Sequence, residues 1–218
     1  AGSPVNIGHR SPGASLDVVR RRRRPGRPQI HVETCSHYLS LNRGSSAGLL
    51  GKVNPPLRPQ ADIDALWEGV RSGEISTIGS DHVPRKRSTK GPDLWSATAG
   101  FPGIATLLPV LIEEGYHKRG IPIETIAAAT SRNVARLYSL PNKGSLAVGM
   151  DADLAVLDID RAVVVDPERL ESHSDYTPYE GMTLRGVVTH TVMRGRLVSE
   201  DGIVVPGIEA GGRYIFRT

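Results

Sequence analysis

The chain has 218 residues, 39% of them hydrophobic, 23% charged and 5% aromatic, enough for one substantial domain or two small ones around a buried core. A single cysteine excludes a disulfide-stapled scaffold and any zinc site built from several thiolates. The net charge is +4, but Arg20 to Arg24 form a run of arginines without which the chain is close to neutral, so the basicity is local and no nucleic-acid-binding fold is implied.

No stretch approaches the ~18 apolar residues of a membrane span, so no membrane partner is expected and a cytoplasmic setting is. Pro4 to His9 reads as a short strand ending in a polar residue. Gly13 to Arg24 reads as a helix with Leu16, Val18 and Val19 as its apolar part and the arginines on a solvated face. The run ends at Pro25-Gly26-Arg27-Pro28, and no aromatic residues interleave it for base stacking. Gln29 to Cys35 alternates Ile30, Val32 and Thr34 against His31 and Glu33, a second strand. Asp62 to Arg71, capped by Ala61-Asp62, places Ile63, Leu66, Trp67 and Val70 at helical spacing. Glu74 to Gly79 is a third strand, closing on Ser80-Asp81-His82. Strands alternating with helices predict a parallel sheet, an α/β class.

The second half changes character. Ile104 to Glu114 and the Ala-rich Ile123 to Leu140 read as helices. Beyond Pro141-Asn142-Lys143-Gly144 the chain turns to short β segments, at 152–158, 162–165, 187–194 and 203–205, which suggest a small sandwich or barrel. The boundary falls between residues 142 and 143.

Three strand ends carry residues that bind metals or move protons: His9, the Glu33-Thr34-Cys35-Ser36-His37 group, and Asp81-His82. In parallel α/β architectures the C-terminal strand ends form the active face. Imidazole and carboxylate from two such ends suit a divalent zinc, manganese or nickel ion. Taken singly, each also fits a hydrogen-bonded structural histidine or an Asp that forms a turn.

The wording of several segments goes further. Val32-Glu33-Thr34-Cys35-Ser36-His37-Tyr38-Leu39, Lys52-Val53-Asn54-Pro55-Pro56-Leu57-Arg58 and Gly79-Ser80-Asp81-His82-Val83-Pro84 follow one another in order. Ala99 to Ile104, Lys143 to Leu154 and Asp175 to Met182 come after them. Together they resemble the cyclic amidohydrolases: hydantoinases or dihydropyrimidinases, allantoinases and dihydroorotases. The resemblance covers almost the whole chain. It implies a (β/α)8 barrel that carries two divalent metals, beside a composite β-sandwich. The family's ligands are an HxH pair, a carboxylated Lys, two further His and an Asp.

By order, His9 matches the strand 6 histidine, residues 29–35 are strand 7, and Asp81 is the strand 8 aspartate. The resemblance thus makes this chain the C-terminal part of such a hydrolase: barrel strands 6 to 8 in residues 1–142, then a segment of the sandwich in 143–218. Asp81 would touch a metal and act as general base, passing a proton to the leaving amide nitrogen. Asn54 and the backbone of Ala99 and Gly100 would hold a cyclic amide or ureide, whose ring edge offers both donors and acceptors. Two zinc ions are implied, with manganese, nickel or iron as alternatives, and a homo-oligomer at full length.

No HxH pair occurs, and no lysine sits at a strand 4 equivalent, so the carboxylated Lys is expected outside this chain. With two ligands, the chain alone is expected not to turn over substrate. The Lys52–Arg58 wording leans toward dihydroorotases, whereas Glu33–Leu39 and Asp175–Met182 lean toward allantoinases and hydantoinases. The position where dihydroorotases commonly carry a second His is Arg85. A non-catalytic, amidohydrolase-like scaffold is the alternative function. Cys35 reads as a small buried filler and His37 as a support rather than a ligand. His82 either orients Asp81, meets substrate or is structural, and Tyr176 and Tyr179 read as packing or interface residues.

Overall fold

The computed structural model describes residues 3–26 and 29–216. The Arg27-Pro28 step, where the arginine run was expected to end, lies outside them. Three short strands, β1 (Val5–Ile7), β2 (Ile30–Cys35) and β3 (Thr77–Gly79), form a parallel sheet in that order. Val5 pairs with Ile30 and Ile7 with Val32; on the other side Glu33 pairs with Thr77 and Cys35 with Gly79. Helix α1 (Ala14–Arg22) joins β1 to β2, and α2 (Gln60–Arg71) precedes β3. All three strands therefore run the same way, and their C-terminal ends share one edge of the sheet.

Helix α2 owes its place to the i, i+3, i+4, i+7 stripe of Ile63, Leu66, Trp67 and Val70, each at most 2% exposed. Burying such side chains contributes about 1.5–3 kcal/mol apiece. They join Leu16, Val19, Val32, Cys35, Ile75 and Ile78 in the main core. The Trp67 indole donates to the Leu39 carbonyl at 2.8 Å, so its one polar atom is satisfied. Asp62 does not cap α2, which starts two residues earlier; its carboxylate accepts the Gly13 N–H at 2.7 Å and ties the two helices together. Gly13 is required there, since a Cβ would stand 2.5 Å from that of Ala65.

The arginine run is only partly a solvated face. Arg20 makes a two-pronged bond to Glu74, both contacts at 2.6 Å, and Arg23 donates to the carbonyls of Ile30 and Glu74. These side chains, three residues apart, clamp α1 to β2 and to the segment before β3. Arg21, Arg22 and Arg24 are exposed.

Of the segment expected to be helical over 104–114, Leu107–Leu111 is α-helical (α3), and Ile112–His117 continues it as a wider π-helical segment. The segment 123–140 likewise resolves into α4 (Ile123–Ala127), a π-helical turn (Ala128–Arg132) and α5 (Asn133–Leu137).

The C-terminal region is one antiparallel meander of four strands: β4 (Leu154–Val164), β5 (Thr183–Met193), β6 (Arg196–Glu200) and β7 (Ile203–Val204). Among the described residues it is a single sheet, not a two-layer sandwich. The two segments expected at 152–158 and 162–165 are one strand, irregular between Asp158 and Ala162, where the Asp158 carboxylate accepts the N–H groups of Asp160 and Arg161. This sheet packs on the α3 segment. Gly186, at φ +94°, lies so close that a Cβ would meet the Ile112 Cβ at 2.4 Å. Beside it Arg185 holds Glu113 through its Nε at 2.7 Å and its Nη2 at 3.1 Å. Leu41, Val110, Val165, Tyr179 and Leu184 form a second core under this contact.

Candidate metal centre

His9 follows β1 and Asp81 follows β3, on either side of the central strand. Their side chains meet, His9 Nε2 to Asp81 Oδ1, at 3.5 Å. Both residues hold left-handed backbone, φ 56° for His9 and 45° for Asp81, a conformation that costs a side-chain-bearing residue energy and concentrates at functional positions. Neighbours hold each turn in place. Next to His9, the Arg10 N–H donates to the Glu33 carbonyl at 2.9 Å and the Thr34 hydroxyl donates to the Arg10 carbonyl at 2.6 Å. Next to Asp81, Gly103 packs so tightly that a Cβ would stand 2.6 Å from the Ser80 carbonyl oxygen.

A nitrogen and a carboxylate oxygen so placed fit a divalent ion, because donors bonded to zinc at about 2.0–2.2 Å stand about 3.3–3.6 Å apart in a tetrahedron. Burial pushes the Asp81 carboxyl above its ordinary value, and His9 partly opposes this. The pair is open on one side: the side chains are 47% exposed for His9 and 21% for Asp81.

The strand between them contributes Cys35. Its Sγ, a His9 ring nitrogen and an Asp81 oxygen all lie within 4.8 Å of one another. Cys35 is fully buried, as its reading as a filler requires, but its thiol also faces the one cluster of possible metal donors among the described residues. Burial first, then the carboxylates of Asp81 and Glu33, push that thiol up. The signal in the sequence was positional: Cys35 ends a strand as His9 and Asp81 follow theirs.

His37 is 1% exposed, packs against Tyr38 and Phe101 at ring separations of 4.1 and 5.1 Å, and has no hydrogen-bond partner for either ring nitrogen among the described residues. Burial, with His9 adding to it, pulls it down to about 3, so it is neutral. The His82 Nδ1 accepts the N–H groups of Gly103 and Ile104 at 3.2 and 3.3 Å.

The segments expected to hold substrate are wired to the same edge. The Gly100 N–H donates to the Lys52 carbonyl at 2.9 Å, and Val83 N–H to the Phe101 carbonyl at 3.0 Å. Tyr38 donates to the Pro55 carbonyl at 2.7 Å, next to the exposed Asn54. Lys90, 2% exposed, donates to the carbonyls of Lys52, Thr98 and Gly100 at 3.2, 3.0 and 2.7 Å. Burial, with Arg85 and Lys52 nearby, pulls its ammonium down to about 8. Tyr176 also donates to the Gly100 carbonyl, at 3.2 Å. Both main-chain groups of Gly100 are therefore engaged inside the protein, whereas those of Ala99 make no such bond among the described residues. Gly100 fits as a pivot, at φ +99° with Val83 2.9 Å from where a Cβ would lie. Tyr176 and Tyr179 are buried, and Tyr179 shares a 2.8 Å hydrogen bond with Ser40.

A parallel α/β sheet whose strand ends bring His and Asp to one point offers two donors to a divalent ion. The amidohydrolase family matches residues 19–199, and the chain belongs to that family. It is 39% identical over 218 residues to an allantoinase from Rubrobacter xylanophilus, covering 99% of this chain and 47% of that protein. An allantoinase from Solibacter usitatus is 36% identical, again over 99% of this chain and 47% of its own length. The solved L-hydantoinase (dihydropyrimidinase) from Arthrobacter aurescens superposes with a TM-score of 0.91 at 32% identity, over 100% of this chain and 49% of its own. The chain spans about half the length of the curated relatives it matches. No helix among the described residues is long and apolar enough to cross a membrane.

Proposed function

We propose that this chain is the C-terminal half of a metal-dependent hydrolase that opens a cyclic amide or ureide C–N bond, with allantoin the first substrate to test. The observation that carries the proposal is the 3.5 Å approach of His9 and Asp81 across the ends of parallel strands. The allantoinases among its relatives and the superposition on a hydantoinase support it. On this account β1, β2 and β3 are strands 6, 7 and 8 of a (β/α)8 barrel within residues 1–142. The sheet in 143–218 belongs to a composite sandwich. The enzyme is a cytoplasmic homo-oligomer with two divalent ions, zinc first among them.

When bound, the metal pair polarises the scissile carbonyl and makes hydroxide available near neutral pH. His9 and Asp81 each supply one donor to hold it. Asp81 serves also as the base, since its free carboxylate oxygen takes the proton of the attacking water and returns it to the ring nitrogen as the C–N bond breaks. The side-chain amide of Asn54 and the unengaged main chain of Ala99 hold the ring edge by complementary donors and acceptors. Gly100, its own groups engaged, sets the direction of Ala99. His82 fixes the 101–104 turn against the Asp81 loop.

The test is steady-state kinetics of the enzyme containing this chain on allantoin, hydantoin, dihydrouracil and dihydroorotate, with bound metal counted. Asp81→Asn should lower kcat by about 10²–10⁴ through loss of the base, and further where metal is lost. Asn54→Ala should raise KM at least as much as it lowers kcat. Near-native kcat in Asp81→Asn at full metal occupancy would remove Asp81 from the proton path.

A further inference from the structure

Lys90 ends a short 3-10 turn, Arg87–Lys90, and is 2% exposed. Among the described residues no carboxylate pairs with it; main-chain carbonyls alone accept its protons. Burying an ammonium without a counter-charge is costly, and filling the space calls for no charge. What the ammonium adds is a fixed set of donors. We propose that Lys90 is a positioning residue of the substrate pocket, one that sets the Asn54 segment and the Ala99 main chain at the spacing a small cyclic amide or ureide spans. The proposal rests on Asn54 and Ala99 being the substrate contacts of a cyclic-amide hydrolase.

The three acceptors come from both segments. The Lys52 carbonyl, at 3.2 Å, lies two residues before Asn54, and those of Thr98 and Gly100, at 3.0 and 2.7 Å, flank Ala99. The contact is reciprocal, since the Lys52 ammonium donates to the carbonyls of Leu94 and Ala97, between Lys90 and Ala99. Each lysine thus holds main chain of the other's segment. The rings of Phe101 and Tyr176 stand 5.9 and 5.7 Å from the Lys90 nitrogen and add cation–π attraction. With its three protons engaged, Lys90 has none left for substrate and acts through the main chain it holds. Two contacts kept at one spacing hold the ring in the ground state and the transition state alike, so the effect falls on KM more than on kcat.

The charges around Lys90 make this arrangement sensitive to pH. Arg85, upstream on its own segment, and Lys52, on the facing one, add to burial in pulling the ammonium down to about 8. On the third side Tyr176 keeps its proton, pushed up to about 12 by burial and then by Asp175. The carboxylates there, Asp175 and Glu180, are taken up by the main-chain N–H and the guanidinium of Arg87. As pH rises through about 8 the Lys90 proton leaves, one donor is lost, and a nitrogen lone pair faces a carbonyl oxygen.

The experiment compares wild type, Lys90→Met and Lys90→Arg in the enzyme containing this chain, on allantoin, hydantoin, dihydrouracil and dihydroorotate across neutral to alkaline pH. Circular dichroism and bound metal are measured for each. On the best substrate at neutral pH, Lys90→Met should raise KM about tenfold and leave kcat within about threefold of wild type. Lys90→Arg, which keeps a charge and donors, should recover part of that loss. The ratio of the Lys90→Met to the wild-type KM should shrink as pH passes about 8. An unchanged KM in folded, metal-replete Lys90→Met, or a ratio indifferent to pH, would overturn the positioning role and leave the hydrolase reading standing. Should Lys90→Met not fold, a wild-type KM that stays level through that pH range would overturn the proposal by itself. Wild type that opens none of the four rings would overturn the hydrolase reading, and the proposal with it.

Discussion

His9 and Asp81 come from strands that are not neighbours, yet their side chains meet 3.5 Å apart, each carried on left-handed backbone. Two unfavourable turns on opposite sides of one central strand converge on one point, and the surrounding hydrogen bonds of Arg10, Glu33 and Thr34 hold the first of them. Strain accepted at a site and stabilised around it is what a pre-positioned ligand pair requires.

The first prediction follows from that strain. Glycine adopts positive φ without the Cβ penalty, so His9→Gly removes both the ligand and the cost of its backbone. The variant should be as stable as wild type or more stable by up to about 1 kcal/mol, while its affinity for zinc falls at least about tenfold. Urea unfolding and a zinc titration measure the two halves. A clear loss of stability would show that His9 supports the fold and not a ligand.

A second concerns Lys90, a buried ammonium shared by the carbonyls of Lys52 and of Thr98 and Gly100, which flank Ala99. Lys90→Met keeps the apolar stem and deletes the donors. It should cost about 1–3 kcal/mol and speed hydrogen exchange at the amides of Thr98 and Gly100, whose bonds to Thr89 and Lys52 bracket the loop. Unchanged protection there would mean that the loop is held by Tyr176 and Phe101 alone.

The polar wiring of this loop was not legible in the sequence, whereas much of the fold was. Period-2 and period-3.6 patterns marked β2 and α2, because a strand and a helix buried on one face must repeat their apolar residues at those intervals. Strand β6 was missed because the 187–194 segment ran into it without a proline or asparagine. The turn is made by Arg194 and Gly195, at φ 47° and 79°, and an arginine there gives no warning. Asp201 and Gly202, at 47° and 82°, make the next turn in the commoner Asp-Gly form. The π-helical stretches were invisible too; the first begins at Ile112, against which Gly186 presses from another element. At the site, His9 and Asp81 were legible as strand-end residues. The proximity of Cys35 and the direction of His82 were not, because both are set by contacts distant in sequence.

A third prediction uses the contact between α3 and the antiparallel sheet. The Arg185 guanidinium holds the Glu113 carboxyl down to about 2, from an ordinary 4.5. A carboxyl depressed in the folded state stabilises the protein fully above its unfolded value and loses that contribution as pH falls through its folded value. Wild type should therefore resist urea better than Glu113→Gln at neutral pH, and the gap should close between about pH 4.5 and 2. A gap of the same size at both ends of that range would place the stabilisation elsewhere.

The most direct test of the central claim is anomalous diffraction from crystals of this chain soaked in Zn²⁺. A metal peak should stand about 2.0–2.2 Å from both His9 Nε2 and an Asp81 carboxylate oxygen. Zinc bound only at other sites, with His9 and Asp81 left in contact with each other and with no ion between them, would contradict the account.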